Sequence, residues 1–462
     1  MLSKSLIEKI LMAVLRNGGD FAEVFVEKRY DNRISMKQNL VEKAISGNEF
    51  GVGIRGFLGD KAVYAYSNDV SETNLISVAE RVGKTLGEIK IKDTVLNFNK
   101  VEYKENNRVF LYPNDIDKKE KILIMKKASE SAKNYSQLIK QVIVNYWEYD
   151  QSVLIANTEG VWAEDRRVRT RLMIQSVAEQ NGIMETGFYG PGAGMGFEFF
   201  NSLDPHEAGK RASRIADRMV KADPAPAGKM PVIISNEFGG VIFHEAVGHS
   251  LEATSVSKGA SVFCDKLGQK IASDCVSAVD DGTIANAWGS SNVDDEGTPT
   301  KRNILVENGI LKGYMVDKLG ARKMKTEVTG SSRRMNYKYA PTSRMTNTFI
   351  LPGKSYPEEI ISNTEYGIFA KSMGGGSVQP ATGEFNFAIN EGYLIENGKI
   401  TKPVRGATLI GRGNEIITKI DMVGNDIGRG QGMCGSVSGS IPADVGQPTI
   451  RVSEILVGGK NK

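Results

Sequence analysis

Asp223-Pro224-Ala225-Pro226-Ala227-Gly228, then Pro231-Val232-Ile233-Ile234, then Val241-Ile242-Phe243-His244-Glu245-Ala246-Val247-Gly248-His249 form the stretch on which the fold turns. The two prolines fix φ and remove amide donors, so the first six residues cannot be helical and read as an extended spacer. The short apolar run at Pro231–Ile234 reads as a buried strand. The apolar segment that leads into His244 reads as a buried helix, giving strand, turn, helix. At 462 residues the chain exceeds what one ordinary core serves. The expected division is therefore an N-terminal α/β domain over 1–222, a linker at 223–230 and a C-terminal domain over 231–462.

Upstream of the spacer, Leu6, Ile7, Ile10, Leu11, Val14 and Leu15 recur at helical spacing, and Asn17-Gly18-Gly19 supplies the stop. From Phe21 to Glu27 the pattern alternates, with Ala22, Val24 and Val26 on one face and Glu23 and Glu27 on the other. Further short strands are expected over 34–36, 51–57 and 62–66. Leu75, Val78, Ala79, Val82 and Leu86 predict a second helix, and 115–131 a third, charged one. Strands return over 139–149, 152–156 and 166–179, with a turn at Asn157-Thr158-Glu159-Gly160. Asp204-Pro205 then opens a fourth helix, with an aspartate cap and proline in the first position. Downstream, Asn308-Gly309 and Asn397-Gly398 each sit between short apolar runs, a strong hairpin signal. The expected fold class is α+β, with an N-terminal helix-plus-β-meander domain. The C-terminal domain is expected to be β-rich, with one buried helix carrying the histidines.

Lys and Arg total 59 against 55 Asp and Glu, a balance that gives no electrostatic footprint for nucleic acid. Three cysteines are too few for a disulfide framework and suit a reducing cytosol. Glu8 and Lys9 interrupt the first apolar stripe, so no signal-peptide core forms, and no run approaches the roughly 18 apolar residues of a membrane span. The expected location is cytoplasmic, with neither membrane nor nucleic acid as partner.

The chain has only three histidines, and two of them flank Glu245 in His244-Glu245-Ala246-Val247-Gly248-His249. Neutral imidazole is the commonest metal ligand, and a neighbouring carboxylate can serve as the base for a metal-activated water. The spacing is i and i+5, which on a regular helix lies roughly 140° around the axis. Convergence therefore requires a π-bulge or local unwinding, expected at Val247–Gly248 because glycine tolerates such distortion. A catalytic zinc takes three protein ligands and keeps one open position. His206, Cys264 and Cys275 are candidates for the third ligand, but read more simply as an exposed helix-start histidine and small buried cysteines. Cys434 differs, because Gly430-Gln431-Gly432-Met433-Cys434-Gly435-Ser436 is a glycine-flanked loop able to bring a thiolate to a metal, or a nucleophile to a histidine base.

With these residues the chain resembles the TldD/PmbA family of metallopeptidases, on its TldD-like catalytic side. The segments that carry the resemblance are His244–Glu252, Val293-Asp294-Asp295-Glu296-Gly297-Thr298-Pro299, Arg344-Met345-Thr346-Asn347-Thr348, Gly432-Met433-Cys434-Gly435 and Val445-Gly446-Gln447-Pro448. The resemblance implies Zn2+ on His244, His249 and Cys434, with Glu245 as catalytic base. It also implies a paralogous TldE/PmbA-like partner subunit, with a homodimer as the alternative, and short unstructured peptides as substrate. The rival reading is a non-catalytic peptide- or partner-binding subunit with a structural metal. Arg344 is a candidate oxyanion group, weighed against a structural arginine. Gly374-Gly375-Gly376 is a place where a peptide backbone could approach, weighed against a flexible loop. Arg167, Arg169 and Arg171 read as a solvated strand face, and Asp280-Asp281-Gly282 and Asp294–Gly297 as turns.

Overall fold

The computed structural model describes residues 1–87, 95–379 and 381–459. Its N-terminal half is built on very long antiparallel strands, Phe21–Lys37, Leu40–Leu58, Ile139–Asn157 and Val161–Gln180, in one eight-stranded sheet. Phe21–Lys37 lies at the centre, paired with Leu40–Leu58 on one side and Ile139–Asn157 on the other. The short strands expected over 21–27 and 34–36 are thus one strand, and so are those over 139–149 and 152–156. The polar residues between them, such as Lys28, Asp31 and Asn32, have ladder partners on both sides, which sustain the strand through sequence that lacks apolar alternation. Gln38 and Asn39, at φ 50° and 65°, close the first hairpin in the geometry that matches strand twist.

Helices cover one face of this sheet. Ser3 caps Lys4–Arg16, whose Ile7, Ile10, Leu11 and Val14 pack with Leu75, Val78 and Val82 of Glu72–Leu86 over Val24, Val26, Val52 and Ile54. Lys118–Lys133 and Pro205–Met219 cover the other end, above Ile34, Val142, Val144 and Leu172. Asp204 caps the second of these through the His206 amide.

The opposite face of the sheet is not solvated. Phe25, Val153, Ile155 and Ala163 pack on Val293 and Tyr337. Around them Glu23, Glu27, Arg55, Arg167, Arg169 and Arg171 are all buried. Arg55 bridges Glu23 and Glu296, Arg334 reaches Glu23 at 3.0 Å, and Arg167 meets Asp295 at 2.6 Å. The solvated-face reading of Arg167, Arg169 and Arg171 is therefore wrong, because alternation identifies a polar face without saying what covers it. Asp294–Gly297 does turn, with Gly297 at φ 80°, but its acids are buried: Asp295 and Glu296 anchor ion pairs, and Asp294 accepts backbone amides. Asp280 lies in a strand, Ala278–Asp281, where it accepts from Thr346 and Thr348.

The C-terminal part holds one eight-stranded and one six-stranded sheet around the largest apolar core. Both Asn-Gly hairpins form, with Asn308 at φ 48° and Asn397 at φ 51°. The 223–230 stretch is extended, and it is hydrogen-bonded into the first of these sheets. Asp223–Pro224 pairs with Val404–Arg405, and Gly228–Ile234 is a strand between Tyr366–Gln379 and Ile450–Gly458.

Candidate metal centre

Strand Gly228–Ile234 delivers the chain through a 3-10 turn at Glu237–Gly240 into helix Val241–Ala246, which carries His244 and Glu245. The helix stops there. Val247 turns aside at φ −124°, ψ −49°, and His249 sits in a separate 3-10 turn, Gly248–Leu251. This break removes the angular offset of i+5 spacing and brings the imidazoles together, with ring centroids 5.1 Å apart. The distortion falls on Val247. At 248 a Cβ would lie 2.2 Å from Met345 Sδ, so any larger residue there requires the buried Met345 side chain to move.

Cys434 arrives from the antiparallel hairpin of Gly428–Ser436 with Gly439–Gln447. Its Sγ lies 3.3 Å from His244 Nε2 and 3.2 Å from His249 Nε2. The three side chains can each offer one ligand atom, all within 4.8 Å of one another. Tetrahedral zinc, with Zn–S about 2.3 Å and Zn–N about 2.0 Å, sets N···S separations at about 3.5 Å. The donor set and its convergence therefore fit a borderline-soft divalent ion.

Burial works against charge on both partners, and mutual attraction outweighs it. The Cys434 thiol, which burial alone would push up, is held well below its ordinary range by His244 and His249. His249, which burial would push down, is lifted well above its ordinary range by Glu252 and Cys434. Both directions favour the charged, ligating form of the sulfur beside the two imidazoles.

Glu252 has a clear position here although its residue type alone assigned it no role. Its Oε2 lies 3.2 Å from His249 Nδ1, which leaves Nε2 facing the sulfur. The signal in the sequence is the i+3 spacing from His249. Glu245 Oε2 lies 3.6 Å from His249 Nε2, and its side chain is 23% exposed against 10% for His249. It is the carboxylate with access to both the cluster and water.

The remaining candidates lie elsewhere. His206 is exposed at the start of its helix, Cys264 is half-buried and Cys275 is exposed rather than buried. Arg344 is fully buried and donates to the carbonyls of Cys434 and Gly439 and to Ser438 Oγ, so it clamps the hairpin instead of facing an oxyanion. The N-terminal sheet holds the same hairpin from the other side, through Arg171 Nη2 to the Gln431 carbonyl at 2.7 Å. Trp288 Nε1 donates to the Gly432 carbonyl at 2.8 Å. Gly374–Gly376 belongs to strand Tyr366–Gln379; a Cβ on Gly376 would strike the Asn386 carbonyl at 2.1 Å and one on Gly374 the Asn390 side chain at 2.5 Å, so these two serve the close pairing of their own hairpin, whereas Gly375 has open space around it.

Sequence models of the PmbA/TldA metallopeptidase domains match this chain in three parts: domain 1 over residues 22–85, the central domain over 111–220 and the C-terminal domain over 227–459. A metalloprotease TldD homolog from Haemophilus influenzae is 37% identical, over 96% of this chain and 93% of that protein. The fold is shared with a Thermotoga maritima protein named for a proposed role as a modulator of a DNA gyrase, at TM-score 0.81 and 22% identity over 98% of this chain and 100% of that one. It is also shared with TldE from Thermococcus kodakarensis, at TM-score 0.76 and 19% identity over the same shares of the two chains. The chain belongs to the PmbA/TldD metallopeptidase family.

Proposed function

We propose that this family member is a zinc-dependent peptidase that hydrolyses short or unfolded polypeptides, as the catalytic TldD-like subunit of a TldD/TldE-type complex in the cytoplasm. The observation that carries this reading is the convergence of two imidazoles and a cysteine sulfur beside a partly exposed Glu245. The metalloprotease name of the Haemophilus relative supports the reaction class. The fold likeness to TldE supports a paralogous partner. In this reading 231–462 carries the chemistry, 1–222 buttresses the Cys434 hairpin, and 223–230 joins the two.

His244, His249 and Cys434 would hold the zinc, which when bound supplies Lewis-acid polarisation and lowers the pKa of a water. Glu245, the carboxylate beside the cluster, would accept a proton from the attacking water and pass it to the leaving amine. Glu252 keeps the His249 ring oriented, and Arg344 keeps the Cys434 backbone in place. His244 is 2% exposed and Cys434 5%, which leaves Glu245 as the member of the site most open to solvent.

The test is metal content and cleavage of an unstructured peptide, with partner subunit present, for the wild-type chain and Glu245→Gln. The reading expects about one zinc per chain in both proteins. Cleavage should fall by about 100-fold or more in the variant alone. Equal cleavage by the variant would remove Glu245 from the mechanism and favour a structural metal.

A further inference from the structure

A cavity of about 520 Å³ lies between the polar face of the N-terminal sheet and the C-terminal part, beside the Cys434 hairpin. Trp147 and Arg169 line it from the sheet, Arg333 and Arg334 from across, and Met433 and Ile441 from the hairpin. The acids in its wall are already engaged. Asp295 accepts from Arg167 and from the Arg334 amide, and Asp294 accepts the amides of Glu296, Thr298 and Ser332. Arg29, also at the cavity, is paired with Asp31.

Two arginines are different. Arg169, 3% exposed, donates to the carbonyls of Trp288 and Ser290 and to the Tyr149 hydroxyl. Arg333, 6% exposed, donates only to the Met345 carbonyl among the described residues. Neither forms an ion pair among the described residues. Burial together with the nearby Arg169 and Arg344 lowers Arg333 to about 10 against the opposing pull of Asp295, so it remains a cation at neutral pH. Arg333 lies in the field of Asp295 and Asp280 but is bonded directly to neither, and a buried guanidinium without a directly bonded carboxylate is costly; its unused N–H donors form a planar fork that matches one. Arg33 and Lys43, also at the cavity and exposed, carry the positive field outward.

We propose that this cavity is a subsite for a substrate carboxylate, with Arg333 and Arg169 as its seat. The inference rests on the peptidase reading above and specifies which peptides that site prefers. Met433 immediately precedes Cys434, and Ile441 pairs with Cys434 across the hairpin. A peptide with its scissile bond at the cluster and its chain running past this hairpin would present its neighbouring residues to the cavity. The substrate carboxylate is either the free C-terminus or an acidic side chain.

Trp147 lines the cavity and gives a readout separate from catalysis. The full-length, metal-loaded chain is titrated by tryptophan fluorescence with three unstructured peptides of one parent sequence. These are a neutral C-terminal amide, the same peptide with a free C-terminus, and the amide with one internal Glu. At least one carboxylate-bearing peptide should bind about ten-fold more tightly than the neutral amide, and more weakly as salt rises. Preference for the free terminus alone identifies chain-end recognition, and preference for the internal Glu identifies side-chain recognition. Arg333→Gln should abolish the preference and Arg333→Lys should retain part of it. Equal affinity of the wild-type chain for all three peptides, or no signal from any, overturns the subsite whether or not the variants fold. Charge-dependent binding without hydrolysis would leave the subsite standing and remove the peptidase reading. Hydrolysis of all three peptides at equal kcat/KM would do the reverse.

Discussion

Replacing Glu252 by Gln isolates the support that a neighbouring carboxylate gives to one proposed ligand. Glu252 Oε2 lies 3.2 Å from His249 Nδ1, with both side chains at least nine-tenths buried. At an effective dielectric of about 20, a charge pair at this separation interacts by about 5 kcal/mol before desolvation. An amide keeps the acceptor oxygen and loses only the charge, so the net effect is much smaller. Loss of a carboxylate behind a metal-binding histidine typically lowers metal affinity 10–100-fold, or about 1.4–2.7 kcal/mol. The assay is competition for zinc against a chelating indicator, with folding checked by circular dichroism and thermal midpoint. Glu252 also lies 3.9 Å from Arg344 Nε, so Glu252→Gln should cost modest stability as well. A folded variant with zinc affinity within about two-fold of wild type would refute the claim that Glu252 orients His249 for a metal.

Three further outcomes are expected. Gly248→Ala should destabilise the chain by about 1–3 kcal/mol in chemical denaturation. Its Cβ meets Met345 Sδ at 2.2 Å, and Met345→Ala should relieve the clash. Arg171→Leu leaves the Gln431 and Gly190 carbonyls without this donor, which should cost about 1–3 kcal/mol and speed zinc release from the loosened hairpin, read by denaturation and by stopped-flow chelation. Asp444, between the Trp288 amide and the Gln431 side chain, is pushed up to about 6 by burial. A carboxylate raised in the folded state contributes stability that is complete below its unfolded pKa and is lost as pH rises through the folded value. Asp444 should therefore cost roughly 2–3 kcal/mol of stability between about pH 4 and pH 7, and Asp444→Asn should flatten that part of the stability–pH curve.

Much of the local structure is legible in the residues. Helical spacing at Ile7, Ile10, Leu11 and Val14, the Asp204-Pro205 start and the two Asn-Gly turns each encode their own geometry within a few positions. The His244–His249–Cys434 cluster was legible in part for the same reason. Two scarce histidines around Glu245 point to a ligand pair, and the i+5 spacing forces an irregularity that the structure places at Val247. What sequence patterns miss is whatever depends on distant chain. Glu23, Glu27, Arg167 and Arg169 alternate as a polar face and look solvated, but their partners lie more than a hundred residues away in several cases, at Asp295, Trp288 and Tyr337. The length of Phe21–Lys37 is likewise set by neighbours on both sides rather than by its own alternation. Arg344 reads as a functional cation because its charge is visible and its burial is not. Its three acceptors, Cys434, Ser438 and Gly439, belong to a hairpin about ninety residues on.

The central claim is that His244, His249 and Cys434 together bind one metal ion. X-ray absorption at the zinc edge on the purified, zinc-loaded chain tests it most directly. The account predicts one sulfur at about 2.3 Å with two imidazole nitrogens and a further light ligand at about 2.0–2.1 Å. The sulfur shell should vanish in Cys434→Ser. A first shell of nitrogen and oxygen alone in the wild-type chain, or a sulfur shell that survives Cys434→Ser, would contradict it.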